Sequence, residues 1–342
     1  SIITNFCKHY VKKNIAVALF ISQMACQDSI VNPDNSYEGI FQSFWEIMDE
    51  RYVFFEEKNV DWDKVHKDWL PVFKEIKTDS AAVAAFDSII RIVNDAHVWV
   101  RSNNGERAEM FSDDRFFLVF WKIYKRYGFS KIREGVRYHT AQLPGSVAYI
   151  RVLPLLEVVN YNQLELEGYD YTNGLIIDLR DCTGGFESGY KICGIFYSGI
   201  KTLTYSQTKS GKAHNAFTKP EPLWLRGAGL VPDDIPLVVL INGNTYSMGH
   251  GIATIISDLT NCVIVGEPTS GGGGSIFEVF LPGGWSFSYT STRYINHLGQ
   301  LTEKGLSPHV IIPVSRPFYD EVHSQTGEDP QLEKALEIIT AF

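Results

Sequence analysis

A serine at position 247 stands where a strand gives way to a helix. Leu237 to Ile241 is a short, continuous apolar run rich in β-branched residues, the pattern of a strand covered on both faces. Asn242, Gly243 and Asn244 are turn formers. Gly251 to Leu259 then puts Ile252, Ile255, Ile256 and Leu259 at helical spacing. A hydroxyl at such a junction lies beside free backbone N–H groups and the positive end of a helix dipole. That suits a nucleophile whose product is an oxyanion. The same place suits a plain helix N-cap, where serine bonds a free N–H, and local sequence alone favours the cap. His250, one turn along, is within helical reach of Ser247, but as a base it must fold back onto its own nucleophile. His97, in Asn94-Asp95-Ala96-His97-Val98-Trp99-Val100, sits where a helix ends and a strand begins. A histidine there is commonly a surface or capping residue.

The elements that must position these residues follow from periodicity. Residues 37–96 read as a small helical domain. Ile40, Phe44, Ile47 and Met48 make one apolar stripe; Trp69, Val72, Phe73 and Ile76 a second; Val83, Phe86, Ile89, Ile90 and Val93 a third. Asp61 marks a helix start. Residues 97–145 read as connecting strands and turns leading into Val147 to Val152. From 146 to 342 strands alternate with helices, which argues an α/β domain. Gly174 to Arg180 is a buried strand ending in charge. Asp181 to Phe186 is the loop at its end, and Ser188 to Tyr197 continues as a helix. Residues 204–235 read as a long, irregular surface excursion of the kind that borders sites. Residues 276–295 read as a hairpin around Pro282-Gly283-Gly284, and Asp329 to Ile339 as an amphipathic terminal helix.

The chain has 342 residues, 44% hydrophobic, with a formal net charge of −9. That length builds a large core with a smaller domain beside it. An acidic chain without a basic stripe argues against nucleic-acid binding. No histidine or cysteine pair has metal-ligand spacing, so neither metal nor cofactor is expected. The glycine run 271–274 lacks the Lys-Ser/Thr of a phosphate loop. Cys182, Cys193 and Cys262 are expected as buried free thiols rather than a disulfide framework. Residues 1–26 combine Lys8, Lys12 and Lys13 with an apolar run from Ile15 to Ile21 that is too short to span a bilayer. They resemble a bacterial lipoprotein leader with Cys26 as the acylated first mature residue. Residues 27–36 read as a tether. Export to the cell envelope follows, with membrane contact through that anchor only.

Several segments together resemble the S41 peptidase family, which includes C-terminal processing peptidases and the core of tricorn protease. The matching residues are Asp178-Leu179-Arg180 with Gly184-Gly185, the element from Asn242 to Ser247, Val265-Gly266-Glu267-Pro268-Thr269, Leu301-Thr302-Glu303 with Gly305, Pro308, and the Asp329-Pro330-Gln331-Leu332 tail. The resemblance implies a ClpP/crotonase-like α/β core. Processing peptidases use a Ser/Lys dyad, but the lysine position here is Gly272. The tricorn-like design takes a histidine base and a late glutamate, which His97 and Glu303 match. Ala96 stands where that design has a serine, and Cys182 where it has an asparagine. By resemblance, Ser247 is the nucleophile, His97 its base and Glu303 an orienting acid. The backbone N–H of Met248 and of Gly184 or Gly185 would hold the oxyanion. Asp258 is read as structural. A serine endopeptidase acting on peptide or protein substrates is the expected activity. The alternatives are an inactive fold that binds peptides or an apolar ligand, and a structural lipoprotein.

Overall fold

A computed structural model describes residues 34–110, 118–155, 166–185 and 187–342. The expected leader and most of the tether lie outside the described residues. Three helices come first: α1 (Tyr37–Arg51), α2 (Trp62–Glu75) and α3 (Asp79–Val93). Ser36, Asp61 and Thr78 cap them, each accepting a backbone N–H that the first turn leaves without a partner. Their apolar stripes meet in an aromatic core, where Phe41 stacks on Phe73 at 4.5 Å and Phe44 meets Phe86 edge-on at 5.1 Å. Asn94 ends α3 in the left-handed conformation (φ 52°, ψ 48°) and turns the chain toward a strand.

Strands β1 (Trp99–Arg101) and β2 (Arg107–Glu109) form a short antiparallel pair. Helix α4 (Phe120–Arg126) follows where strands and turns were expected. Two of its residues, Phe120 and Ile123, bury against the sheet beneath, and that packing selects the helix over extended chain. Next come β3 (Ser130–Glu134), β4 (Tyr138–Leu143), β5 (Val147–Val152) and β6 (Gly174–Asp178), then a 3₁₀ helix over Glu187–Phe196. The stretch expected to be irregular is instead a long hairpin of β7 (Ser198–Thr208) and β8 (Glu221–Ala228). Its residues are mostly exposed or half-buried, with only Leu203, Leu223 and Leu225 packing on the core, so backbone pairing carries much of it and the apolar signal in the sequence is sparse.

The remaining elements match the sequence reading closely. Strand β9 (Leu237–Ile241) leads into α5 (Met248–Leu259) and β10 (Val263–Gly266). Strands β11 (Gly274–Phe280) and β12 (Ser286–Ile295) make the expected hairpin, followed by β13 (Val310–Ile311) and the terminal helix α6 (Pro330–Thr340). The larger sheet has the order β13-β10-β9-β6-β5-β4-β3, parallel from β13 to β5. Every residue of β6 and β9 is buried, because α5 and the 3₁₀ helix cover one face and α6 covers the other. The second sheet, β2-β1-β12-β7-β8 with β11 also on β12, backs onto the helical domain. Strand β1 therefore carries the end of the helical domain into a sheet built by the late chain.

Candidate active site

Ser247 occupies the N-cap position of α5 with φ 52° and ψ −121°, and its side chain makes no capping bond. A non-glycine residue at positive φ is strained, and such strain persists where surrounding contacts hold it. Here the Ser247 N–H donates to the Gly271 carbonyl at 2.9 Å, and the Tyr246 N–H to the Cys182 carbonyl at 3.1 Å. The hydroxyl, freed from capping, meets His97. His97 Nε2 lies 3.0 Å from Ser247 Oγ, although 150 positions separate the two residues.

Strand pairing delivers the histidine. Trp99 of β1 registers with Ser288 of β12, and the Ser288 hydroxyl donates to the His97 carbonyl. The Tyr246 ring packs against the imidazole at 4.9 Å between centroids. His97 is only 8% exposed. Burial pushes its pKa below the ordinary histidine value, the Asp95 carboxylate opposes that, and Lys58 adds to it. The ring is therefore neutral near pH 7 and free to take a proton.

In the preceding loop Gly184 lies against Ser247. Gly184 has φ +95°, and a Cβ there would come 2.6 Å from Ser247 Cβ and 2.8 Å from the Met248 nitrogen. Only glycine allows that approach. Met248 opens α5, so its N–H is one of those a helix leaves without an internal acceptor. Gly185 bridges to Leu155 at the cavity wall. The loop is anchored by Asp181, whose carboxylate accepts from the Asn242 and Asn244 amides, each at 2.9 Å. Behind it Arg180 is fully enclosed, bonding Asp178 at 2.6 Å and Asp329 at 2.7 Å, and Asp329 also caps α6. This ties the glycine loop to the terminal helix.

Glu303 belongs to the same neighbourhood without touching His97. One carboxylate oxygen pairs with Lys58 at 2.7 Å, and the other accepts from the Gly273 N–H at 3.0 Å. Burial, then the nearby Asp95 charge, push its pKa up to about 7 against the pull of Lys58. His250 turns away from Ser247. Its Nδ1 meets the Thr269 hydroxyl at 2.8 Å and its Nε2 the Thr302 carbonyl at 2.6 Å, and burial pushes its pKa down to about 4. It joins α5 to the segment carrying Glu303. Gly272 has no room for a side chain: φ is +79° and a Cβ would lie 2.4 Å from the Tyr246 ring. Cys182, Cys193 and Cys262 are buried free thiols.

Two cavities meet at this place. One, of about 930 Å³, holds Ser247 and His97 among apolar walls from Leu155, Tyr190, Leu203, Met248, Ile255 and Ile276. Asp258 lies at its edge, its carboxyl pushed upward by burial. The other, of about 1060 Å³, is the more polar of the two and is lined in part by Lys58, Asp95 and Glu303. Sequence reasoning missed Asp95, Lys58 and Tyr246. Asp95 had a signal, an acid two residues before the histidine; Lys58 and Tyr246 had none. A serine with an uncapped hydroxyl on a neutral histidine, beside free N–H groups and an apolar cavity, can perform acyl transfer.

Similarity to known proteins falls on the same segments. A family model described as peptidase family S41 matches residues 148–312, and one of the tricorn protease C1 domain matches residues 33–95. A carboxyl-terminal-processing protease of Picosynechococcus sp. is 29% identical over 187 residues, 54% of this chain and 41% of that protein. The chain spans less than half the length of such curated relatives. A crystal structure of a candidate peptidase from Parabacteroides merdae has a TM-score of 0.77 at 25% identity, covering 89% of this chain and 96% of that one. Mature CPAF shares the fold, with a TM-score of 0.61 at 12% identity over 90% of this chain and 98% of that one.

Proposed function

The chain belongs to peptidase family S41, with that family's two-sheet α/β fold and helical N-terminal region, and from that premise we propose that it is a serine endopeptidase working through Ser247 and His97. The observation that carries the reading is the 3.0 Å contact between Ser247 Oγ and His97 Nε2 at a strained, uncapped serine. His97 takes the hydroxyl proton as Ser247 attacks the peptide carbonyl carbon. The carbonyl oxygen becomes an oxyanion, held by the Met248 N–H with that of Gly184 or Gly185. His97 returns the proton to the leaving amine, and an acyl-enzyme remains. Water then attacks with His97 again as base, and the acid product leaves. Glu303 contributes charge to the site through its pair with Lys58. The apolar cavity favours substrates that place an apolar side chain beside the scissile bond.

The test is covalent labelling by a fluorophosphonate, which phosphonylates an activated serine. Wild-type protein should label and Ser247→Ala should not. A folded wild type that fails to label would leave the fold as a binding protein. We also propose export and acylation at Cys26, supported by the lysine-rich, apolar leader pattern. Cys26→Ser should then shift the protein from the membrane fraction to the soluble one, or leave it unprocessed.

A further inference from the structure

We propose that Asp95 is the residue that orients His97 and balances its positive charge, while Glu303 serves as counter-ion to Lys58. This rests on the Ser247–His97 reading above. A histidine that accepts the serine proton at Nε2 must already carry a proton at Nδ1. On taking the second proton it becomes a buried cation and needs a fixed negative charge nearby. Asp95 supplies it. One of its oxygens accepts the His97 backbone N–H at 2.9 Å and lies 3.9 Å from Nδ1. The other accepts the Tyr52 hydroxyl at 2.9 Å and the Thr290 hydroxyl at 2.7 Å. Three donors from three separate elements thus fix the carboxylate, which is 2% exposed. Closing the remaining gap to Nδ1 needs about 1 Å, the slack common in free enzymes.

Glu303 is committed elsewhere, to Lys58 and the Gly273 N–H. Ala96, between Asp95 and His97, offers no hydroxyl to relay Glu303 to the ring. Lys58 also donates to the Asn94 carbonyl at 2.8 Å, so its charge offsets Glu303 next to the segment that carries Asp95. The titratable groups that interact with Asp95 are Tyr52, His97 and Glu303, with Lys58 acting on His97 and Glu303 and Tyr246 on Tyr52. Asp95 is a positioning residue, acting through His97.

The experiment compares wild type, Asp95→Asn, Asp95→Glu and Glu303→Gln. Two quantities are read on each: the fluorophosphonate labelling rate from pH 5 to 9, and the His97 pKa by NMR titration. Asp95→Asn should slow labelling by about 10³-fold, approaching the loss when a catalytic triad aspartate is made neutral. It should also lower the His97 pKa, moving the acid limb of the rate profile to lower pH. Asp95→Glu, which keeps the charge, should stay within about tenfold of wild type, and Glu303→Gln should lose clearly less than Asp95→Asn. An unchanged His97 pKa in Asp95→Asn overturns the proposal, as does a larger rate loss in Glu303→Gln. A comparable loss in Asp95→Glu also counts against the charge-balancing role. If the wild type fails to label, the peptidase reading fails by itself, while the NMR titration still decides whether Asp95 governs the ring.

Discussion

Replacing Gly184 with alanine adds one methyl group at the most crowded point of the site. The backbone there has φ +95°, outside the region open to residues with a side chain, at a cost of order 1–3 kcal/mol. The new carbon would sit 2.6 Å from Ser247 Cβ and 2.8 Å from the Met248 nitrogen. Both neighbours belong to the turn at Ser247, so relief cannot come from a flexible side chain. Restoring ordinary contact at about 3.4 Å requires the loop and Ser247 to part by roughly 0.8 Å. A displacement near 1 Å at reacting atoms costs on the order of 10²-fold in rate. The loop's anchors, Asp181 to Asn242 and Asn244, resist the shift, so Ser247 moves as well as the loop. The expected result is a labelling rate reduced about 10²-fold, with a melting temperature lower by only a few degrees. Both are measured on the same preparation, by fluorophosphonate labelling and thermal denaturation. A wild-type labelling rate in Gly184→Ala would refute the argument that this glycine borders the reacting serine.

Three further outcomes are expected. Gly272→Lys should gain no hydrolysis, since its Cβ strikes the Tyr246 ring; activity that survives His97→Ala in that background would reassign the base. The Glu303 carboxyl, ordinarily near 4.5, is pushed up to about 7, so the folded chain keeps a proton that the unfolded chain has released between those values. Stability from this group therefore falls as pH rises through that window, by at most roughly 3 kcal/mol, and urea denaturation of Glu303→Gln at pH 5 and pH 8 should show a flatter dependence than wild type. Arg180→Met leaves Asp178 and Asp329 buried without their cation, and denaturation should report a loss of about 3–5 kcal/mol, whereas a change below 1 kcal/mol would mean the carboxylates find other partners.

Local pattern made the strand, turn and helix around Ser247 legible. An apolar β-branched run, three turn formers and a helical stripe specify strand, turn and helix from Leu237 to Leu259 without reference to the rest of the chain. The terminal helix and the β11–β12 hairpin were legible for the same reason, since each carries its own period and its own turn residues. The hairpin from Ser198 to Ala228 and the helix at Phe120 were not. The first turns only Leu203, Leu223 and Leu225 onto the core among mostly exposed residues, too sparse a pattern to announce it. The second is selected by the sheet it packs on rather than by its own spacing.

The site divides along the same line. Sequence supplied a serine where helix N–H groups are free, a glycine loop, and through family resemblance a histidine and a glutamate. It could not say that Ser247 gives up its capping bond, because that depends on backbone angles fixed by Gly271 and Cys182 from other segments. It could not choose the acid beside His97 either. Asp95 is buried and Glu303 half-buried in one cluster, and only the pairing of Lys58 with Glu303, and of Tyr52 and Thr290 with Asp95, gives each its own partner. Periodicity encodes which face of an element is apolar, whereas contacts across 150 positions arise only when separate faces pack and strand β1 meets β12.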